Sequence, residues 1–168
     1  ELSGLTSLSD AAAESLSKSK AHLLYLDGLK SLSDAAAASL GKYENALFLN
    51  GLENLSDAAA ASLGKCSEYL YLNGLKNLSD AAAEGLSKSK AIFLELDGLK
   101  SLSGAAAESL SKFKGDTLWL DGLKSLSPLA ALGLSLYQGE LSLNGLRTLS
   151  NAAAANLAKH RSGLRLDS

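Results

Sequence analysis

A glycine preceded by aspartate or asparagine returns along the chain at Gly28, Gly51, Gly74, Gly98, Gly122 and Gly145. It follows a first copy at Gly4, in steps of 23 or 24 residues. A fixed period of this size is the mark of a repeat architecture, in which each unit is too short to bury its apolar face alone and must stack on its neighbours. The chain is therefore expected to form one quasi-one-dimensional array over residues 1–168, with partial repeats at both ends. It begins at Glu1 without methionine and stops at Ser168 partway into another repeat, so it reads as a piece of a longer protein.

Each unit opens on a short strand signal, Leu-x-Leu, at Leu24-Tyr25-Leu26, Leu47-Phe48-Leu49, Leu70-Tyr71-Leu72, Leu94-Glu95-Leu96, Leu118-Trp119-Leu120, Leu141-Ser142-Leu143 and Leu164-Arg165-Leu166. Period-two alternation sends the leucines inward and the residue between them outward. The Asx-Gly pair that follows is a turn signal. Glycine accepts positive φ without a Cβ penalty, and the Asx side chain can bond the backbone a residue or two ahead.

The next segment carries three helix-start signals. Ser9, Ser33, Ser56, Ser79, Ser103, Ser127 and Ser150 stand just before alanine-rich runs, where a hydroxyl can cap the first free amides. The position after the serine is Asp10, Asp34, Asp57 or Asp80 in four copies, which suits the positive helix end, and Pro128 in another, where no hydrogen bond is lost. A leucine before each serine, such as Leu32, is placed to staple onto the helix. Helices of about ten residues are marginal alone, so their stability must come from packing an inward stripe such as Ala36, Ala37 and Leu40. A lysine row (Lys18, Lys42, Lys65, Lys88, Lys112, Lys159) faces water. A helix row about 10 Å wide beside strands about 4.8 Å apart curves such an array with its strands inside.

The pattern Leu-x-Leu-Asx-Gly-Leu-x-x-Leu-Ser followed by an alanine-rich helix resembles a leucine-rich repeat of a short, bacterial type, and the likeness covers essentially the whole chain. The resemblance implies an α/β fold: a right-handed horseshoe solenoid with a parallel concave β-sheet and short convex helices. It also implies recognition of a protein partner, not catalysis.

One repeat is irregular. Gly104 weakens the helix start before it, and residues 127–136 then read Ser-Pro-Leu-Ala-Ala-Leu-Gly-Leu-Ser-Leu. Leu132 stands where other copies carry glutamate or alanine, and Leu136 occupies the lysine row. Either the segment repacks around Gly133 or it presents an apolar outer patch for self-association or a further domain. The open strand edges at the array ends offer a second route to self-association.

Candidate functional residues lie on the strands. The outward row reads Tyr25, Phe48, Tyr71, Glu95, Trp119, Ser142 and Arg165; a second row two residues earlier reads Leu23, Ala46, Tyr69, Phe93, Thr117, Glu140 and Gly163. Six of the nine aromatics fall in these rows. Two accounts compete: cross-strand packing of residues that favour strands, and a binding strip rich in the side chains that dominate interface hot spots. The expected ligand-binding set is Tyr25, Phe48, Tyr69, Tyr71, Phe93, Glu95 and Trp119. The expected function is binding of a protein partner, with carbohydrate binding on the same strip or a structural spacer in a large surface protein as alternatives. The adjacent Asx row can satisfy itself by turn bonding, and calcium is a weaker reading of it.

A formal charge of −2 offers no electrostatic reason to bind nucleic acid or an anionic membrane. No apolar run is long enough to span a bilayer, and no secretory leader is visible. Cys66 is the only cysteine, so no internal disulfide is expected. His22 and His160 lie far apart, and Cys66 is read as having no histidine at a matching repeat position. No enzyme activity, no metal site and no cofactor are expected.

Overall fold

The computed structural model describes residues 4–66 and 68–167. Leu2 and Ser3 of the opening partial repeat, and the terminal Ser168, lie outside the described residues. Helices and strands alternate from end to end. The helices are α1 (Asp10–Ser17), α2 (Asp34–Leu40), α3 (Asp57–Leu63), α4 (Asp80–Ser87), α5 (Gly104–Leu110), α6 (Pro128–Ser135) and α7 (Asn151–Leu157). Between and after them run the strands β1 (Leu23–Tyr25), β2 (Ala46–Phe48), β3 (Tyr69–Tyr71), β4 (Phe93–Glu95), β5 (Thr117–Trp119), β6 (Glu140–Ser142) and β7 (Leu164–Arg165). Each coil of the solenoid takes the number of its helix. The seven strands form one open parallel sheet in sequence order, with every strand paired one period along, for example Leu24 with Leu47 and Leu70 with Leu94.

The strand leucines are buried and the residue between them is half-buried in β1 to β5, as the alternation requires. Behind the sheet, Ala36, Ala37 and Leu40 and their counterparts in α3 and α5 are wholly buried, so one continuous core runs between the sheet and the helix layer. The helices have only seven or eight residues, shorter than expected, because the chain must turn back within one period. A second core row escapes a reading based on strands and helices. Tyr43, Cys66, Ser89, Phe113 and Tyr137 each lie three residues beyond the last helix leucine, all buried, and His160 continues the row beside Tyr137 with ring centroids 6.4 Å apart. His160 thus does occupy the repeat position of Cys66, contrary to expectation, but three intervening coils separate the two. Burial pushes the Cys66 thiol up to about 12, which makes it an inert packing group.

All seven serines cap as expected: Ser33 Oγ, for instance, accepts from the Ala36 amide at 3.0 Å. The same hydroxyl has a second task. Ser33 donates to Asp10 Oδ1 of the preceding coil at 2.5 Å, and Ser56, Ser79 and Ser103 do likewise to Asp34, Asp57 and Asp80. The first-turn aspartates therefore tie coils together besides favouring the helix end. The helix α5 begins on Gly104 itself, under the Ser103 cap. Its missing Cβ would lie 2.9 Å from Leu129 Cβ, so the glycine makes room for the leucine of the next coil. The irregular segment remains a helix, α6, and leaves Leu129, Leu132 and Leu136 on the surface at 69%, 38% and 54% exposure.

The turns correct the sequence reading twice. No described glycine has positive φ; the Asx-Gly glycines are required by close approach instead. A Cβ on Gly74 would overlap the carbonyl oxygens of Asn50 and Leu52, and one on Gly122 those of Asp97 and Leu99. Nor does the Asx side chain bond its own turn. Asp27 Oδ1 accepts from the Asn50 amide one coil on at 2.9 Å, and the series continues through Asn50 to Asn73, Asn73 to Asp97, Asp97 to Asp121, Asp121 to Asn144 and Asn144 to Asp167, at 2.8–3.1 Å. Gly74→Ala is accordingly expected to cost about 1–3 kcal/mol or more. Gly4→Ala, at the same repeat position but with nothing within 4 Å of its Cβ, should leave stability within about 0.5 kcal/mol of wild type. Urea unfolding of both variants checks the contrast.

Candidate functional site

The sheet register sets one residue of each outward row beside its counterpart in the next coil: Tyr25 beside Phe48, Phe48 beside Tyr71, Tyr69 beside Phe93. Strand spacing of about 4.8 Å is close to the stacking distance of aromatic rings, so a parallel in-register sheet stacks them of necessity. Tyr25 lies on Phe48 with centroids 4.3 Å apart and planes 23° apart; Phe48 lies on Tyr71 at 4.2 Å and 6°. In the second row Tyr69 stacks on Phe93 at 4.9 Å and 20°. Phe93 then meets Trp119 of the first row edge to face, at 5.1 Å and 63°. The structure thus brings all six expected aromatics together on the sheet face opposite the helices, each half-buried.

Glu95 interrupts the first row between Tyr71 and Trp119. It accepts a 2.5 Å hydrogen bond from Asn73 Nδ2, yet burial outweighs that bond and holds its carboxyl above the ordinary range, with the Asp97 and Asp121 charges acting in the same direction. Asp97 is likewise raised, first by burial, against the bond it accepts from the Asp121 amide. Burial and the nearby Glu95 raise the Tyr71 phenol, so that hydroxyl remains a donor at neutral pH. The strip therefore carries an acidic group, Glu95 with Asp97 and Asp121 beside it, between Tyr71 and Trp119 of the aromatic run.

The rows are not uniformly outward. Ala46 and Thr117 are buried, and Ser142 is wholly buried although the alternation places it outward. Ser142 Oγ donates to Asp121 Oδ1 at 2.8 Å and accepts from Asn144 Nδ2 at 3.1 Å, so it belongs to the turn network beneath the surface. Arg165 pairs with Glu140 across β6 and β7, which closes the strip with an ion pair. Among the described residues, no group of three or more His, Cys, Asp or Glu is placed to hold a metal ion, and no helix is long and apolar enough to cross a membrane.

Compared with known proteins, the chain matches no protein-family model and finds no curated protein similar to it.

The raised carboxyls have a consequence for stability. Between their unfolded values and the higher folded ones, the folded chain binds more protons than the unfolded chain, so stability increases as pH falls through that window. The double variant Glu95→Gln, Asp97→Asn keeps oxygen acceptors for Asn73 Nδ2 and the Asp121 amide. It is expected to be more stable than wild type at pH 7 and to lose the gain on acidification. Thermal unfolding midpoints of the two proteins across that pH range check both points.

Proposed function

We propose that the chain is a leucine-rich-repeat recognition module that binds a protein partner along the strip of Tyr25, Phe48, Tyr69, Tyr71, Phe93, Glu95 and Trp119. The observation that carries this reading is the stacking itself. Rings locked face to face within one rigid sheet present a preformed apolar band, and a partner that docks on it need not order those side chains at the moment of binding. Aromatic side chains are also those that dominate binding energy at protein interfaces.

The same geometry weighs against the sugar alternative. A pyranose ring packs on an exposed aromatic face, whereas here Phe48 is covered on both faces by Tyr25 and Tyr71, and Tyr69 and Phe93 cover one another. Within the stacks, ring edges and the Tyr71 hydroxyl are what a partner meets, with open ring faces confined to the stack ends and Trp119. Beside them the carboxylates of Glu95, Asp97 and Asp121 favour a partner segment that sets apolar side chains on the rings and a basic side chain at the acidic group between them.

The double variant Tyr71→Ala, Trp119→Ala is expected to lose the partner by a factor of about 30 or more, since even one hot-spot truncation commonly costs about 2 kcal/mol or more. Pull-down with identification of the retained protein, and a glycan array in parallel, are run on wild type and variant. Selective capture of a protein by wild type alone supports the reading. Glycan capture by wild type moves the assignment to carbohydrate, and capture of neither by either protein favours a spacer.

A further inference from the structure

The outer face of α6 departs from the other helices at three positions. Leu129 stands where other coils carry alanine, Leu132 where they carry glutamate or alanine, and Leu136 where they carry lysine. The three share one helical face at i, i+3 and i+7, and all are exposed. They add nothing to the core, yet the neighbouring coil is altered to admit them. Gly104 replaces the aspartate that coils 1 to 4 carry at this position, and a Cβ there would lie 2.9 Å from Leu129 Cβ. The exchange costs a bond between coils. Ser33, Ser56, Ser79 and Ser103 each donate to that aspartate in the preceding coil, whereas Ser127 has no carboxylate to reach at Gly104. Two grooves flank the leucine ridge. One, of about 380 Å³, lies over Gly104 and Ala105, and its charged wall, Glu108, is already engaged by Lys112 at 3.7 Å. The other, of about 290 Å³, is lined by Leu132 and Leu136 together with Lys159 and Arg161. Neither of these cations has an ion-pair partner among the described residues, although Lys159 Nζ donates to Asn156 Oδ1 at 2.9 Å. The surface is thus an apolar ridge with uncompensated positive charge along one flank.

We infer that this surface docks an amphipathic α-helix of a partner protein, with the helix's apolar stripe on the leucines and its carboxylates over Lys159 and Arg161. Leucines at i, i+3 and i+7 form a ridge that interdigitates with side chains of the same spacing on a facing helix, and the small residues Gly104 and Ala105 let that helix settle beside the ridge. From Leu129 to Leu136 the face is about 10 Å long, at about 1.5 Å per residue, so about two to three turns of helix cover it. The charge on the flank sets the sign of the partner. A second copy of the chain does not supply that sign. With α6 packed on α6 of another copy in parallel, Lys159 meets the other copy's Lys112; in antiparallel it meets the uncharged start of the other copy's α7, at Asn151 and Ala152. An anionic bilayer is a poorer match as well, because on α4 and α5 the lysine row is neutralised by Glu84 and Glu108. The surface lies across the core from the aromatic strip and is independent of the partner proposed there.

Fluorescence anisotropy of the full chain with a labelled helix-forming peptide of about 16 residues tests the assignment. The peptide carries leucine at i, i+3 and i+7 and glutamate along one flank; a second peptide has lysine in place of the glutamates. At about 0.02 M salt the wild-type chain should bind the glutamate peptide about fivefold or more tighter than the lysine peptide, and the difference should shrink at about 1 M salt. The variant Leu132→Glu, Leu136→Lys restores the residues that coils 4 and 5 hold at these positions, so its circular dichroism spectrum should be unchanged while its affinity for the glutamate peptide falls about tenfold or more. In Lys159→Glu, Arg161→Glu the preference should reverse toward the lysine peptide. Tyr71→Ala, Trp119→Ala, on the opposite face, should bind both peptides as wild type does. Absence of saturable binding to wild type, binding indifferent to the leucine variant, or a preference that does not follow the charge swap overturns the inference. So does a wild-type dimer in sedimentation equilibrium that the leucine variant dissociates, or flotation of wild type with phosphatidylserine vesicles that the same variant abolishes, since either result gives the ridge another occupant.

Discussion

Everything in this fold depends on how closely one coil can lie on the next. The Asx-Gly turns touch backbone to backbone, with glycine required because a Cβ would overlap the carbonyls of the preceding turn. The Asx oxygen then accepts the amide of the following coil, in a row that runs from Asp27 to Asp167. Two features of one dipeptide thus fix both the separation and the register of successive coils. Once they are fixed, the strands pair in register, the leucines superpose into a core, and each helix cap falls beside the aspartate of the helix before it. Stability in such an array is a sum of coil and neighbour terms, and the turn contributes to every neighbour term.

The same register makes the surfaces one-dimensional. Whatever residue stands at a given position is repeated beside itself at strand spacing, so aromatics become stacks and charges become rows. On the sheet face this produces the ring run from Tyr25 to Trp119, interrupted by Glu95 and closed by the pair of Arg165 and Glu140. On the helix side the single substitution of leucine into the lysine row, with Gly104 making room for Leu129, yields a local apolar patch. Core positions hold the coils together while surface positions vary, and the variation is laid out in order along the axis.

Much of this is legible in the sequence because the signals recur. One serine before one alanine run is weak evidence for a helix, but Ser9 to Ser150 in seven copies leave no other reading, and all seven cap. The six strand aromatics and Glu95 are readable as outward in the same way, since period-two alternation needs only the buried leucines as a reference, whereas Ala46 and Thr117 of the same rows are buried. What the repeat does not reveal is a partner in the next coil. Asx-Gly is locally a turn with positive φ and a self-bonded side chain; the stacked neighbour changes both, replacing a conformational reason for glycine with a steric one. The bond from Ser33 to Asp10 was visible only as two rows one period apart, each already explained by its own helix. Ser142 looks outward by alternation but is drawn into the Asp121 and Asn144 network by its hydroxyl. The row of Tyr43, Phe113, Tyr137 and His160 falls in loops, where no periodic template applies, although its spacing from the last helix leucine is constant.

If the Asx row is the bond that sets coil on coil, its amides should exchange with solvent only when coils separate. Native-state hydrogen exchange read residue by residue measures this directly. The amides of Asn73, Asp97 and Asp121 are expected to be protected as strongly as those of the buried strand residues Leu70 and Leu94, with protection falling toward Asp167 at the exposed end. Asx amides that exchange like those of free peptide, while the strand amides remain protected, would contradict the account and leave the leucine core alone to hold the coils.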